Sequence, residues 1–214
     1  MAVKVVCFCA YLTNIGIPWR DDDYNANKFI SVFKGEPING YATILVGKTW
    51  HRLQESNRDS AVDWFGEMAA EYVKNGHKAR PLAFCPIPSS KCVVGAKVVS
   101  PTYRLAESIA SNLQNVTVWD GLRWSEAKIP AHQGGPRDPH YFYANLRIVK
   151  KLPDAEIVLV DDMFTSGSHM QAVNAKIVER DGKCRLGLCA GRQVTEHVNR
   201  PFDIIEEELQ LFVP

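Results

Sequence analysis

The chain has 214 residues, 46% of them hydrophobic, and 25 Lys and Arg against 24 Asp and Glu leave a net charge of +1. This is the composition of a soluble globular protein of one domain with an elaboration, long enough to bury a sizeable core. It argues against a nucleic-acid binder that works through bulk positive charge, and no apolar run approaches the roughly 20 residues that span a bilayer, so no membrane association is expected.

The opening MAVKVVCFCAYLTN lacks the long apolar core and small-residue cleavage site of a signal peptide, which sets the expectation of a cytoplasmic protein. Its first apolar run, KVVCFCAYL, predicts a strand. The polar RDDDYNANKF follows. Its triplet Asp21, Asp22, Asp23 has the chemistry of a metal ligand set, but a solvated loop or a helix start is the commoner use of such a run. After the turn signal Pro37, Asn39, Gly40, the run YATILVGK (41–48) predicts a second strand. From Asn57 to Gly76, helical spacing places Val62, Phe65, Met68, Ala69, Tyr72 and Val73 on one face, with Asn75-Gly76 as the stop.

PLAFCPIP predicts a buried strand ending at its prolines. The next helix has Ser100 as N-cap, Pro101 at its first position and Leu105, Ile109 and Leu113 as its apolar stripe. VTVW (116–119) is a short strand. The region 120–145 then shows no period, and so long a stretch inside a compact domain is usually functional. EIVLVDD reads as a central parallel strand, apolar on both faces. GSHMQAVNAKIVERDG predicts a helix with Met170, Val173, Ile177 and Val178 inward, and CRLGLCA predicts a last strand. Strand and helix alternating in this way make a parallel α/β sheet. The six cysteines (Cys7, Cys9, Cys85, Cys92, Cys184, Cys189) form no C-x-x-C pair, have no accompanying His cluster and lie mostly in β-like runs, so buried reduced thiols are expected.

The chemistry concentrates in IVLVDDMFTSGSHM (157–170). Ligands of parallel sheets gather at the carboxyl edge of the strands. There Thr165-Ser166-Gly167-Ser168 lets successive backbone N–H groups converge at a helix N-terminus, a pocket for a phosphate dianion. Asp161 and Asp162 would repel that phosphate if they faced it, but they suit the vicinal hydroxyls beside it, so the ligand is a ribose 5-phosphate. A simple helix N-cap accounts for one aspartate and one hydroxyl, not for both acids together with TSGS.

VLVDDMFTSGS resembles the phosphoribosyl-pyrophosphate (PRPP) loop of the type I phosphoribosyltransferases: an apolar strand, two acids, two variable residues, then hydroxyls and glycine in register. A Walker A loop is excluded, since no GK[ST] follows the glycine. CPIPSSK (85–91) is similar to the family's pyrophosphate loop, with Ser89, Ser90 and Lys91 as donors to the diphosphate. The PIP start, Arg104 in the following helix and KIPAHQGGPRD…NLRI look similar to the competence protein F (ComF) branch, without that branch's four-cysteine zinc module.

The likeness covers roughly residues 80–195 and implies a three-layer, Rossmann-like sheet with helices on both faces. It divides the chain into an N-terminal hood (1–76), a catalytic core (77–200) and a tail (201–214). It implies transfer of phosphoribosyl from Mg-PRPP to a nitrogenous acceptor with release of pyrophosphate, Mg²⁺ being carried by the substrate with no direct protein ligands. In this reading Asp161 and Asp162 fix the ribose, Thr165 to Ser168 hold the 5-phosphate, and a flexible loop with Lys128, His132, Gln133 and Arg137 closes over the reaction. The hood, with Trp19, Tyr24, Trp50, His51 and Trp64, selects the acceptor. A homodimer or an accessory complex is expected by analogy. The alternative is a non-catalytic PRPP or nucleotide sensor, or an accessory protein of a DNA-uptake or prokaryotic defence system.

Overall fold

In the computed structural model the described residues are 2–76, 80–127, 135–212 and 214. Their elements in chain order are β1 (Val3–Cys7), β2 (Ala10–Leu12), α1 (Asp21–Phe33), β3 (Tyr41–Val46), β4 (Thr49–Gln54), α2 (Ser60–Gly76), β5 (Leu82–Pro86), α3 (Pro101–Ser111), β6 (Val116–Val118), β7 (Leu122–Trp124), α4 (Pro139–Asn145), β8 (Leu146–Ile148), β9 (Glu156–Phe164), α5 (Ser168–Val178), β10 (Lys183–Val194) and β11 (Ile205–Leu209). The central sheet runs β11-β1-β10-β9-β5-β6, with β2 also paired to β10. Every pairing in it is parallel except that of β11 with β1.

Helices flank both faces, and the period-2 alternation of the strands divides the core between them. On one face Val158, Val160, Leu186 and Leu188 pack with Phe29, Phe65 and Ile109 of α1, α2 and α3. On the other, Ile157, Leu159 and Cys189 pack with Phe142 of α4 and with Met170, Val173 and Ile177 of α5. Ile157 to Val160 are all but inaccessible, which is why this stretch reads as an unbroken apolar run. The expected inward Val178 is instead 54% exposed, since it ends α5 beyond the sheet's cover. Helices α2 and α3 approach very closely at Gly66, where a Cβ would stand 2.7 Å from the backbone carbon of Ser108.

The first 76 residues are not a hood set apart from the core. β1 lies inside the central sheet, in register with β10 from Lys4 opposite Leu186 to Cys7 opposite Cys189. Phe8 packs edge-on against Phe65 at 5.7 Å and Tyr72 at 6.3 Å. The tail is likewise part of the sheet: β11 covers the outer edge of β1, and Glu206 accepts from Lys4 Nζ at 2.9 Å and from the Tyr72 hydroxyl at 2.7 Å. Strand pairing is a non-local choice, so composition along the chain did not mark it.

Other boundaries moved for local reasons. KVVCFCAYL is two strands, β1 and β2, both on β10. The acidic triplet opens α1. β3 turns at Gly47 (φ 60°) into β4, forming a hairpin off the main sheet. The aperiodic 120–145 region contains β7 and α4. All six cysteines are buried free thiols, and burial pushes the Cys184 thiol up to about 12. Among the described residues no helix is long and apolar enough to cross a membrane.

Because Phe8 is fully buried between sheet and helices, Phe8→Ala should cost about 3–5 kcal/mol. Urea unfolding of the wild type followed by tryptophan fluorescence and by far-ultraviolet circular dichroism should give coincident transitions, since the N-terminal elements share one core with the rest. Two separated transitions would restore an independent hood.

Candidate functional site

β9 delivers the acid pair to the carboxyl edge of the sheet, and Thr165-Ser166-Gly167 turns the chain into α5. Gly167 has φ 76°, ψ 0°, a left-handed conformation open to glycine, and a Cβ there would meet Leu209 Cδ1 at 2.6 Å and the Phe164 ring at 2.9 Å. Its carbonyl accepts from Gln171 N at 2.9 Å, which starts the helix. The Ser166 and Ser168 hydroxyls meet at 2.9 Å. Thr165 and Ser166 are exposed and Ser168 is buried. The Ser168 hydroxyl donates to the backbone carbonyl of Arg137, which lies across the mouth of the turn.

The enclosed cleft, about 40 Å³, has room for a few waters. It is lined by the whole 165–168 turn together with Asp161, Pro136 and Arg137. The expected phosphate cradle and one of the two aspartates therefore share one cavity. Asp161 is 8% exposed, and burial first, the neighbouring Asp162 charge second, hold its carboxyl well above the ordinary carboxylate range. Asp162, half-buried, has its backbone N–H on Asp161 Oδ1 at 3.0 Å and is not among the residues lining the cleft.

The candidate pyrophosphate loop stands at the same edge, because β5 pairs with β9 (Pro86 opposite Val160) and Ile87 N donates to Val160 O at 2.9 Å. Ser89 is partly committed already: its N–H goes to Ser100 Oγ at 3.0 Å and its hydroxyl lies 3.2 Å from Cys92 Sγ. Ser100 is thus no simple N-cap of α3; its hydroxyl ties the 87–89 loop to the helix. Ser90 is half-buried and Lys91 exposed. Of the four flexible-loop residues, Lys128, His132 and Gln133 lie outside the described residues, while Arg137 is exposed beside the cradle. Arg104 pairs with Asp59 at 3.1 Å on the surface.

A second, open groove of about 580 Å³ adjoins the cradle. It shares Arg137, Thr165 and Ser166 and continues along the end of β10 through Arg192, Gln193, Thr195 and His197. Arg192 ties the two clefts together, donating from Nη1 to Thr165 O at 2.8 Å and from Nε to Glu207 at 2.5 Å. None of Trp19, Tyr24, Trp50, His51 and Trp64 lines either cleft. Trp19 packs on Tyr24 at 5.3 Å and His51 on Trp64 at 5.0 Å. Sequence reasoning missed Arg192 and the pair Asp23–His197 (3.0 Å); of these only Asp23, third of an acidic triplet, carried any signal.

Among the described residues no group of three or more His, Cys, Asp or Glu stands close enough to hold a metal ion. No protein-family model matches the chain, and no curated protein matches it.

Two outcomes follow from the geometry. A folded-state pKa above the ordinary 3.8 means the native state binds the Asp161 proton more tightly than the unfolded chain. Its contribution to stability is therefore fully present below pH 3.8 and is lost as pH rises through the higher native value. Thermal melting as a function of pH should show that loss in the wild type and a flatter profile in Asp161→Asn. Gly167→Ala should destabilise by at least about 1–2 kcal/mol, from the left-handed backbone alone, measured by urea denaturation.

Proposed function

We propose that this protein is a type I phosphoribosyltransferase-like enzyme, which binds PRPP with Mg²⁺ and transfers its phosphoribosyl group to a nitrogenous acceptor. The observation that carries this reading is the shared cavity of Asp161 and the Thr165–Ser168 turn at the carboxyl edge of a central parallel strand. In this reading a phosphate at the turn would bring the attached sugar toward the acid pair, and the β5 loop at the same sheet edge would receive the diphosphate. The KIPAHQGGPRD…NLRI stretch favours the ComF-like branch of that family.

In this mechanism the protein positions and stabilises charge and moves few protons. Backbone N–H groups of the turn and the hydroxyls of Thr165, Ser166 and Ser168 hold the 5-phosphate. The Arg137 carbonyl, which takes the Ser168 hydroxyl in the free protein, gives way to a phosphate oxygen. Asp161, whose carboxyl is biased by burial toward the protonated form, and Asp162 hydrogen-bond the two sugar hydroxyls. Ser89, Ser90 and Lys91 face the leaving diphosphate, and Arg137 closes the rim. Mg²⁺ would come bound to the diphosphate oxygens, where it would neutralise the charge of the leaving group. The acceptor nitrogen forms its bond to C1 as the C1–O bond to pyrophosphate breaks.

One observation favours a sensor as a second reading. The cradle is covered by the chain's own Pro136–Arg137 segment, so occupancy must displace that segment and would convert binding into a change of shape.

Calorimetric titration with PRPP tests the common site. Saturable binding strengthened by Mg²⁺ is expected, and Asp161→Asn with Asp162→Asn should weaken it by about 100-fold or more, the loss of both carboxyl partners of the sugar hydroxyls. Undiminished affinity in the double variant would remove the assignment. Pyrophosphate release in the presence of purines, pyrimidines and simple precursors separates the enzyme from the sensor.

A further inference from the structure

The groove beside the cradle contains one side chain prepared for a specific hydrogen bond. Asp23, 3% exposed, accepts from the Arg20 backbone N–H at 2.9 Å and from Arg20 Nε and Nη2, each at 2.9 Å. The Arg20 guanidinium holds the Asp23 carboxyl below its ordinary range, so it is ionised and can only accept. Its Oδ2 lies 3.0 Å from His197 Nδ1. With Nδ1 turned to this carboxylate, the neutral imidazole carries its hydrogen on Nδ1 and presents the Nε2 lone pair on the opposite edge of the ring. Arg20 Nη2 also donates to Val198 O at 2.5 Å, pinning the backbone that carries His197. His197 is about one-third exposed, and it lines the groove that Thr165 and Ser166 enter from the cradle side.

His197 stands at the surface of the groove, one edge of its ring held by Asp23. The groove, about 580 Å³, is large enough for a planar ring, and it adjoins the place where the proposed phosphate sits. We propose that His197 is a specificity-determining residue: its Nε2, set by Asp23, accepts an N–H from the edge of a nitrogen heterocycle seated in this groove and joined, or about to be joined, to ribose 5-phosphate in the cradle. Asp23 is the positioning residue. Gln193, whose amide donates to Thr13 Oγ1 at 3.2 Å, and Thr195 supply further polar groups along the same wall. The ligand class is an N–H-bearing heterocycle, which a ring offering only acceptors would not match. This inference rests on the reading of the Thr165–Ser168 turn as a ribose 5-phosphate site.

The test compares ribose 5-phosphate with AMP, GMP, IMP, CMP and UMP as calorimetric probes of the full chain. At least one monophosphate should bind about tenfold more tightly than ribose 5-phosphate, the worth of one good hydrogen bond. His197→Ala should erase that margin and leave the ribose 5-phosphate affinity unchanged. His197→Gln, which restores an acceptor oxygen, should recover part of it. In ¹⁵N spectra, the His197 Nε2 signal of the wild type should be that of an unprotonated nitrogen and should shift on saturation with the preferred monophosphate but not with ribose 5-phosphate. Asp23→Asn should mix the two tautomers and reduce the margin, while thermal melting confirms that the variants fold.

An unchanged margin in His197→Ala, a protonated Nε2 in the free wild type, or the absence of any margin while ribose 5-phosphate binds would overturn this inference alone. Failure of ribose 5-phosphate itself to bind would overturn the cradle and this inference with it.

Discussion

The site depends on β9 being held on both sides by parallel partners. Pairing with β10 and β5 brings three carboxyl ends to one edge, and it buries Ile157 to Val160 almost completely. At about 1.5–3 kcal/mol per large apolar side chain, that burial on both faces holds the strand at the centre of the sheet. Asp161 lies one residue past the end of the β5 pairing, opposite Cys189 of β10, and is still buried. The carboxyl that the proposed reading assigns to a sugar hydroxyl is also one that the packing makes costly to ionise, and the strand that positions it is what raises its pKa.

The turn that follows is held from the opposite direction by α4. Asp138 caps that helix, accepting from His140 N at 2.9 Å. Phe142 packs on His169 at 4.1 Å, and Tyr143 reaches Glu179 at 3.0 Å with Lys176 over its ring. The Arg137 carbonyl stands one residue before the cap, so its position over Ser168 is set by a helix anchored on α5. A ligand phosphate competes with a neutral carbonyl for a hydroxyl at a helix N-terminus. The phosphate's charge favours it there, both through charge-assisted hydrogen bonds and through the helix dipole. Exchange of one partner for the other couples occupancy of the cradle to the segment that covers it.

How much of this was legible in the chain depends on how local each cause is. The apolar run before Asp161, the hydroxyls after it and the helix from Ser168 could be read directly, since strand period, turn chemistry and helix period act within a few residues. The 41–48 strand, α2, α3 and β5 appeared for the same reason. The position of β1 between β10 and β11 could not be read, because KVVC is equally at home in any buried strand. The commitment of Ser100 to Ile87 and of Ser89 to Cys92 was hidden for a similar reason: each pair is separated by a loop whose path the local sequence does not prescribe.

Asp23 shows the boundary most clearly. As part of an acidic triplet it had a local meaning, a helix start, and the structure keeps that meaning. Its second role, toward His197, needed α1 and the segment after β10 to be packed side by side. By itself the sequence determined a small-residue turn between an acid-tipped strand and a helix, since only turn chemistry and side-chain period are needed for that. Tertiary structure alone decided that the N-terminal strand belongs to the sheet, that burial raises the Asp161 pKa, that the Arg137 carbonyl meets the Ser168 hydroxyl and that Asp23 orients His197. Each of these requires surfaces distant in the chain to exclude water together, and no local pattern encodes which surfaces will meet.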